Sequence, residues 1–209
     1  MNFVESVKSV LFENYAKFKG RAPRAEFWYY VLFTILLGIS LVVLFFLFIF
    51  SVGEGFNPDY VEKLLNPDRC ANVANPVACV EQGNRLFLTH IIEETNAANY
   101  LVISLVVSVV LFLPSFSVVV RRSQDLDRSF YYALPFLVNS IFNLYLSVLL
   151  ALDPVPTFIW LADNSQIETL SGISTIVTII YALWFLQPGQ YDPNRFGPNK
   201  LEEKDADTY

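Results

Sequence analysis

Arginine and carboxylate residues are concentrated in three short segments of the chain, FKGRAPRAEFW at 18–28, RRSQDLDRS at 121–129 and PGQYDPNRFGP at 188–198. The planar guanidinium group can form two parallel hydrogen bonds to either a carboxylate or a phosphate. Two interpretations follow: a structural lock of Arg–Asp and Arg–Glu pairs, which we favour, or a site for anionic lipid head groups or a phosphate-bearing ligand. The residues concerned are Arg21, Arg24, Glu26, Arg121, Arg122, Asp125, Arg128 and Arg195, with Asp127 and Asp192 beside them.

Motifs of known catalytic chemistry are missing from the sequence. It contains no Walker A sequence, no G-x-G-x-x-G, no G-x-S-x-G and no HExxH. Asn139 and Asn143 lie one helical turn apart in a charge-free stretch and could together bind a polar solute. Small and polar residues at helical spacing are equally expected from close helix packing. We therefore expect a non-enzymatic protein with no catalytic residue, cofactor or metal ion.

The two cysteines, Cys70 and Cys79, fall in the same 49-residue segment, 51–99. We expect them to form a disulfide, because the orientation derived below exports this segment to an oxidising compartment. A metal site is the weaker alternative, since two thiols lack the further ligands of a closed zinc site. The single histidine, His90, is read as a polar loop residue.

Hydrophobic residues make up 54% of the 209 residues and charged residues only 16%, which argues against a soluble protein. The apolar residues are clustered in four charge-free runs. Each is read as a membrane-spanning helix, because about 20 residues at about 1.5 Å per residue match the hydrocarbon core of a bilayer. A further apolar segment, 154–161, is too short to span and is read as interfacial or re-entrant. The predicted spans are Val31–Phe50, Tyr100–Val120, Phe130–Leu152 and Leu170–Leu186.

The distribution of basic residues predicts how these helices are oriented. Eleven of the 14 lysine and arginine residues lie in 1–26, 121–129 and the tail from 187, whereas 51–99 holds three and 153–169 none. The positive-inside rule then places both termini in the cytoplasm and exports the loop 51–99. The net charge of −6 does not reveal that the basic residues are concentrated in these three segments. The predicted spans contain no Asp, Glu, Lys, Arg or His, which argues against an ion-coupled transporter.

The sequence predicts three parts. Residues 1–26 form a cytoplasmic segment whose residues 2–18 give an amphipathic helix, with Phe3, Val4 and Val10 on its apolar face and Ser9 on its polar face. Residues 27–186 form the four-helix transmembrane domain with its exported loop. Residues 187–209 form an acidic cytoplasmic tail. The predicted fold class is therefore an all-α polytopic membrane protein.

The three charged segments resemble the motifs of the domain-of-unknown-function 805 family of small bacterial inner-membrane proteins. They match its GRA-x-R-x-E-[FY]-W entry to the first helix, its R-R-x-H-D-x-x-R-S turn and its closing G-x-x-x-x-N-[RK]-[FY]-G. Gln124 replaces the histidine of the second motif and Phe130 its following glycine, so no proton-transfer role of that histidine applies here. The resemblance implies a membrane protein of this topology and implies no reaction.

These features together predict a structural or accessory subunit that associates with a larger membrane protein complex. Its expected partners are membrane lipids and other membrane protein subunits. Nucleic acid is excluded, because the basic segments are short and partly neutralised by acids. Two alternatives stay open: a transporter or channel for a small polar solute lined by Asn139 and Asn143, and an anionic-lipid-binding protein that uses the arginine cluster.

Overall fold

The computed structural model describes residues 1–51 and 97–198, with isolated residues between them at 66, 70, 74, 79, 80, 82, 83, 85–87 and 89. His90, most of the predicted exported loop and the end of the tail, 199–209, lie outside the described residues. The helices of 1–51 and 97–198 are α1 (Phe3–Lys8), α2 (Arg24–Ser51), α3 (Ala97–Asp125), α4 (Leu134–Leu152), α5 (Pro154–Asp163) and α6 (Ser165–Phe185). A π-helical turn (Ser9–Glu13) follows α1, and a 3-10 turn (Phe130–Ala133) precedes α4.

Four of these helices are long and apolar enough to cross a membrane. The stretches are Arg24–Leu47, Asn99–Asp125, Phe130–Leu152 and Ser165–Phe185, with mean hydropathies of 2.8, 2.6, 1.8 and 1.5. They confirm the prediction of an all-helical membrane protein with four membrane-length helices. The described residues form no strand; an isolated bridge joins Asn194 and Gly197.

Two of the four helices extend beyond the charge-free runs from which they were predicted. Helix α2 begins at Arg24, seven residues before the first run, and α3 continues to Asp125, five residues after the second. The added turns contain charged residues that find partners inside the protein, as described below, and pairing removes the cost that a lone buried charge would carry. The predicted interfacial segment forms α5, a ten-residue helix with proline in its first turn.

The chain divides into two compact units. The first contains Met1–Gly38, Val107–Tyr145 and Thr169–Tyr209, and the second contains Ile39–Val106 and Leu146–Glu168. The buried apolar core of the first unit gathers where α2 begins and where α3 and α6 end, around Phe27, Val120 and Phe185. Elsewhere the spans are mostly exposed, since no residue of α4 is buried. In the second unit, the Thr157 hydroxyl of α5 donates to the Leu149 carbonyl at 3.2 Å.

The N-terminal segment is helical, and its buried side is not simply its apolar face. Asn2 and Glu5 form a capping box at the start of α1. Asn14 N then donates to Ser9 O at 2.8 Å, an i to i+5 bond that inserts one extra residue into the turn. Ser9 begins this turn and is buried on the same side of the helix as Ser6, three residues before it, although it was expected on the polar face. Val4, which was expected on the apolar face, is 71% exposed.

Candidate functional site: a buried arginine–carboxylate cluster

Three charged residues of the last turns of α3 take part in two separate buried ion-pair centres. Arg122 and Asp125 are three residues apart, so they lie on one side of the helix. Arg121, the neighbour of Arg122, projects about 100° away from it and faces a different carboxylate. The first charged motif brings Arg21 and Glu26 to these two centres from the start of α2. The sequence motifs are therefore joined in space, although nearly 100 residues separate the first from the second.

The first centre joins Arg121 to Glu26. Arg121 Nη1 lies 2.8 Å from Glu26 Oε1, and the side chains are 1% and 0% exposed. Ser9 Oγ donates to the same oxygen at 3.1 Å. Glu26 also lies in the first turn of α2, where the helix dipole stabilises a negative charge. Arg121 Nε and Nη2 have no hydrogen-bond partner among the described residues.

The second centre places two arginines on one carboxylate. Arg21 Nε lies 2.9 Å from Asp125 Oδ1, and Arg122 Nη1 lies 2.5 Å from Asp125 Oδ2. The exposed fractions of the side chains are 1% for Arg21, 0% for Arg122 and 6% for Asp125. Two buried positive charges therefore meet one negative charge, so the centre needs further acceptors.

The main chain that follows α6 supplies those acceptors. Arg122 Nη2 donates to the carbonyl of Phe185 at 2.9 Å and also to that of Gln187. Arg21 Nη1 donates to the Asp192 carbonyl at 2.9 Å, and Arg24 Nη1 to the Leu186 carbonyl at 3.2 Å. The last carbonyls of a helix lack partners within the helix and form the negative end of its dipole. Arg122 and Arg24 thus cap the C-terminus of α6, and Arg21 bonds to the main chain that follows it.

Gly189 is a close neighbour of the second centre, at a position where a larger residue has no room. A Cβ atom at this position would lie 2.0 Å from Asp125 Oδ2 and 2.6 Å from its Cγ. The amide of the next residue, Gln190, donates to the Asp125 carbonyl at 3.1 Å. The Pro-Gly pair of the third motif therefore lets the main chain pass directly over the carboxylate.

Three predicted site residues lie outside the buried centres, and the exposed Arg24 is one of them. Arg195 Nε is 3.2 Å from Asp127 Oδ1, but the side chains are 59% and 40% exposed. Arg128 stacks over the ring of Tyr132 at 5.4 Å. Exposed pairs of this kind contribute between about 0 and 1 kcal/mol to stability, whereas breaking a buried pair costs about 3–5 kcal/mol. The cluster that matters energetically is thus Arg21, Glu26, Arg121, Arg122 and Asp125.

A network of uncharged polar residues surrounds the cluster and was not predicted as part of it. Asn14 Nδ2 donates to Ser9 Oγ at 3.0 Å, and Ser117 Oγ donates to the Asn14 carbonyl at 2.9 Å. Gln124 Nε2 donates to the Phe18 carbonyl at 2.9 Å, and Asn194 Nδ2 to the Gln124 carbonyl at 2.9 Å. Gln124 and Asn194 belong to the charged motifs, so their position in the sequence could have indicated them as part of the cluster. Ser9 and Asn14 lie in the N-terminal segment, where no motif indicated a part in the cluster.

The asparagine pair predicted to line the bundle makes contacts between helices. Asn139 Nδ2 donates to Thr178 Oγ1 of α6 at 3.3 Å, and the hydroxyl of Ser174 donates to Asn139 Oδ1. Asn143 Nδ2 donates to the Asn139 carbonyl at 2.8 Å within α4. These bonds fasten α4 to α6 at Asn139. The Asn143 side chain is exposed.

Cys70 and Cys79 are joined by a disulfide in the structure, with their Cα atoms 5.7 Å apart. A third thiol is absent from the sequence, so the pair has no competing partner. Among the residues that the structure describes, no three His, Cys, Asp or Glu side chains group together as ligands for a metal ion.

Comparison with known proteins identifies the family. No curated protein and no solved structure matches the chain significantly. The model of the family described as protein of unknown function DUF805 matches residues 15–198. This range contains all three charged motifs and the four membrane-length helices around which the buried cluster is built. The chain therefore belongs to the DUF805 family.

Proposed function

We propose that the protein is a non-catalytic accessory subunit of a larger membrane protein complex in the bacterial inner membrane. Five of its arginines and carboxylates are directed inward, into pairs that hold α2, α3 and the segment after α6 together; they are Arg21, Glu26, Arg121, Arg122 and Asp125. A cluster used in this way stabilises the fold and leaves its charged groups engaged with one another. The outward surface of the spans is what remains for interaction with a partner.

The exposed position of Asn143 carries this proposal. Asn143 is the tenth of the 19 residues of α4, which places it near the middle of the helix, and its side chain is exposed. Its Nδ2 donates to the Asn139 carbonyl at 2.8 Å, so a partner would cover the exposed surface of the amide and would not fill an open hydrogen bond. Helices in membranes associate through such polar side chains and through close packing, because lipid offers no hydrophobic drive between them. A helix of a partner protein would cover this side of α4 and contact the amide.

We further propose that the buried cluster lies at the cytoplasmic face, with both termini on that side. The segments before α2, after α3 and after α6 meet in the cluster, so they share one face. These same segments hold most of the basic residues of the chain. Basic residues near the ends of spans are retained in the cytoplasm.

A transporter lined by Asn139 and Asn143 has weaker support. The side-chain amide of Asn139 forms hydrogen bonds with two hydroxyl groups of α6, so its polar atoms are used in the contact between α4 and α6. A solute would have to displace those bonds in order to use the amide.

The accessory role is tested by purifying the full-length protein from native membranes in mild detergent, with a photoreactive amino acid in place of Ser147, one helical turn from Asn143. We expect one defined protein adduct from this site. We expect the adduct to be lost when Asn143→Leu is added. The matched control is Ile141→Leu, a neighbouring position of α4 that is 52% exposed, which should keep the adduct. Recovery of a strictly monomeric particle whose position 147 crosslinks only to lipid would contradict the proposal.

A further inference from the structure

A cavity of about 420 Å³ lies among α2, α3, α4 and α6 in the first unit. Its walls are mainly apolar and include Phe27, Val31, Val119, Phe136 and Ala182. The α2 residues that line it run from Phe27 to Ile35, eight residue steps or about 12 Å of helix. Each lies within a membrane-length helix, so the surroundings of the cavity in a bilayer are acyl chains. An apolar chain is the ligand that this lining fits.

The polar groups of this cavity are engaged by the protein, with one exception. The hydroxyl of Tyr30 bonds with that of Ser115 at 2.9 Å, and Tyr181 donates to the Tyr132 carbonyl at 2.5 Å. Trp28 Nε1 is buried and has no acceptor among the described residues. A buried indole N–H without an acceptor loses the hydrogen bond that it makes in water. This donor belongs to a residue that lines the cavity near the start of α2.

A second cavity, of about 270 Å³, lies beside the start of α2. It is lined by Arg24, Asp125, Pro23 and residues 188–191. Asp125 contributes a negative charge to this lining, yet two buried arginines already bind it, so its charge is more than balanced. Arg24 is exposed and donates one bond to the Leu186 carbonyl, which leaves a guanidinium group with further donors at the surface. The excess charge at this cavity is therefore positive.

The face of α2 connects the two cavities. Arg24 and Trp28 are four residues apart and lie about 6 Å from each other along one side of the helix. Ile35, at the far end of the apolar cavity, continues this side at helical spacing and is 53% exposed. A positive group, an indole donor and an apolar cavity thus follow one another from the end of the helix towards the middle of the membrane.

We propose that this surface is a binding site for one anionic phospholipid. Its phosphate accepts hydrogen bonds from Arg24 and Trp28 Nε1, and one acyl chain occupies the apolar cavity. The ligand is amphipathic because the site itself is charged at one end and apolar at the other. The proposal does not depend on an accessory role, since it uses α2 and the two cavities, not the exposed face of α4.

The test is native mass spectrometry of the full-length protein in detergent with added phosphatidylglycerol or phosphatidylcholine. We expect phosphatidylglycerol to be retained preferentially. Arg24→Gln removes the charge and keeps a donor for the Leu186 carbonyl, so retention should fall about fivefold. Trp28→Phe removes the N–H and should weaken retention in the same direction. Ala182→Phe fills the apolar cavity and should weaken retention of the lipid as well.

Arg195→Gln is the matched control, because it removes an arginine charge from an exposed pair that lines neither cavity. It should leave retention unchanged. Equal retention of the two lipids, or equal loss in Arg24→Gln and Arg195→Gln, overturns the proposal. So does displacement by millimolar inorganic phosphate that is insensitive to Ala182→Phe, which would identify a soluble anion. If Ala182→Phe does not fold, the comparison of Arg24→Gln with Arg195→Gln still decides.

Discussion

Substitution of Gly189 by alanine should destabilise the protein strongly, although it adds a single methyl group. The new Cβ would lie 2.0, 2.6 and 2.9 Å from the three atoms of the Asp125 carboxyl group. Real Cβ contacts do not approach below 3.0 Å, so the carboxylate must move. Gly189 does not have a positive φ, so the backbone itself accepts alanine. The whole effect therefore acts through Asp125.

The magnitude follows from the two arginines that hold this carboxylate. Ordinary overpacking costs about 1–3 kcal/mol. Here the carboxylate cannot shift without lengthening buried contacts of 2.9 Å to Arg21 and 2.5 Å to Arg122, whose side chains are 1% and 0% exposed. Breaking a buried ion pair costs about 3–5 kcal/mol. For a chain of this length, that loss lowers the midpoint of thermal unfolding by about 6–20 °C.

Thermal unfolding in detergent micelles, followed by circular dichroism, measures this effect. Gly172→Ala is the matched control, because nothing lies within 4 Å of the Cβ that it adds on α6. Alanine is the better helix former, so this control should stabilise slightly, by up to about 1 kcal/mol. In an Asp125→Ala background the clash is gone, so Gly189→Ala should cost much less there. Equal effects of Gly189→Ala and Gly172→Ala, or strict additivity with Asp125→Ala, would refute the reasoning.

Three further predictions concern other contacts and use the same unfolding assay. Glu26→Gln leaves the buried Arg121 guanidinium without its counter-charge and should lower the free energy of unfolding by about 3–5 kcal/mol. Arg195→Gln breaks an exposed pair and should lower it by less than about 1 kcal/mol. Similar losses in the two variants would contradict the role assigned to burial. Asn139→Leu removes two bonds between helices and should cost about 1 kcal/mol; no loss would mean that the joint is not held by this amide. Replacing Cys70 and Cys79 by serine should lower the free energy of unfolding by about 2–3 kcal/mol, because the unfolded chain gains the entropy of an open loop. A reducing agent should destabilise the wild-type protein by the same amount and leave the variant unchanged.

The membrane-length helices could be predicted because a charge-free run of about 20 residues matches the thickness of a bilayer and is rare in a soluble protein. Their ends could not. Arg24, Glu26, Arg122 and Asp125 look like loop residues in one dimension, because a charge inside a helix that enters a membrane is costly unless it is paired. The pairs of Arg21 with Asp125 and of Glu26 with Arg121 join segments nearly 100 residues apart, and only the packed fold brings the partners together.

The charged residues of the cluster could be identified from their motifs, but the groups that complete their hydrogen bonds could not. Arg21 and Arg122 donate to backbone carbonyls, and every residue of a chain offers the same carbonyl whatever its side chain. Ser9 donates to Glu26 from the buried side of the N-terminal helix, although the pattern of apolar residues placed it on the polar face. Packing decides which side of that helix is buried, and the pattern of apolar residues carries no marker of it.

The capping of α6 by arginines has a consequence for the order of assembly. Arg21 and Arg122 complete their hydrogen bonds with carbonyls of residues 185–192, which the ribosome adds after α2, α3 and α4. Until then these guanidinium groups keep part of their charge uncompensated, and such charge is what holds the flanks of a new helix on the cytoplasmic side. In the proposed orientation, the same arginines would guide insertion while synthesis proceeds and would close the fold when it ends. A chain that stops before Phe185 would retain the first role and lose the second.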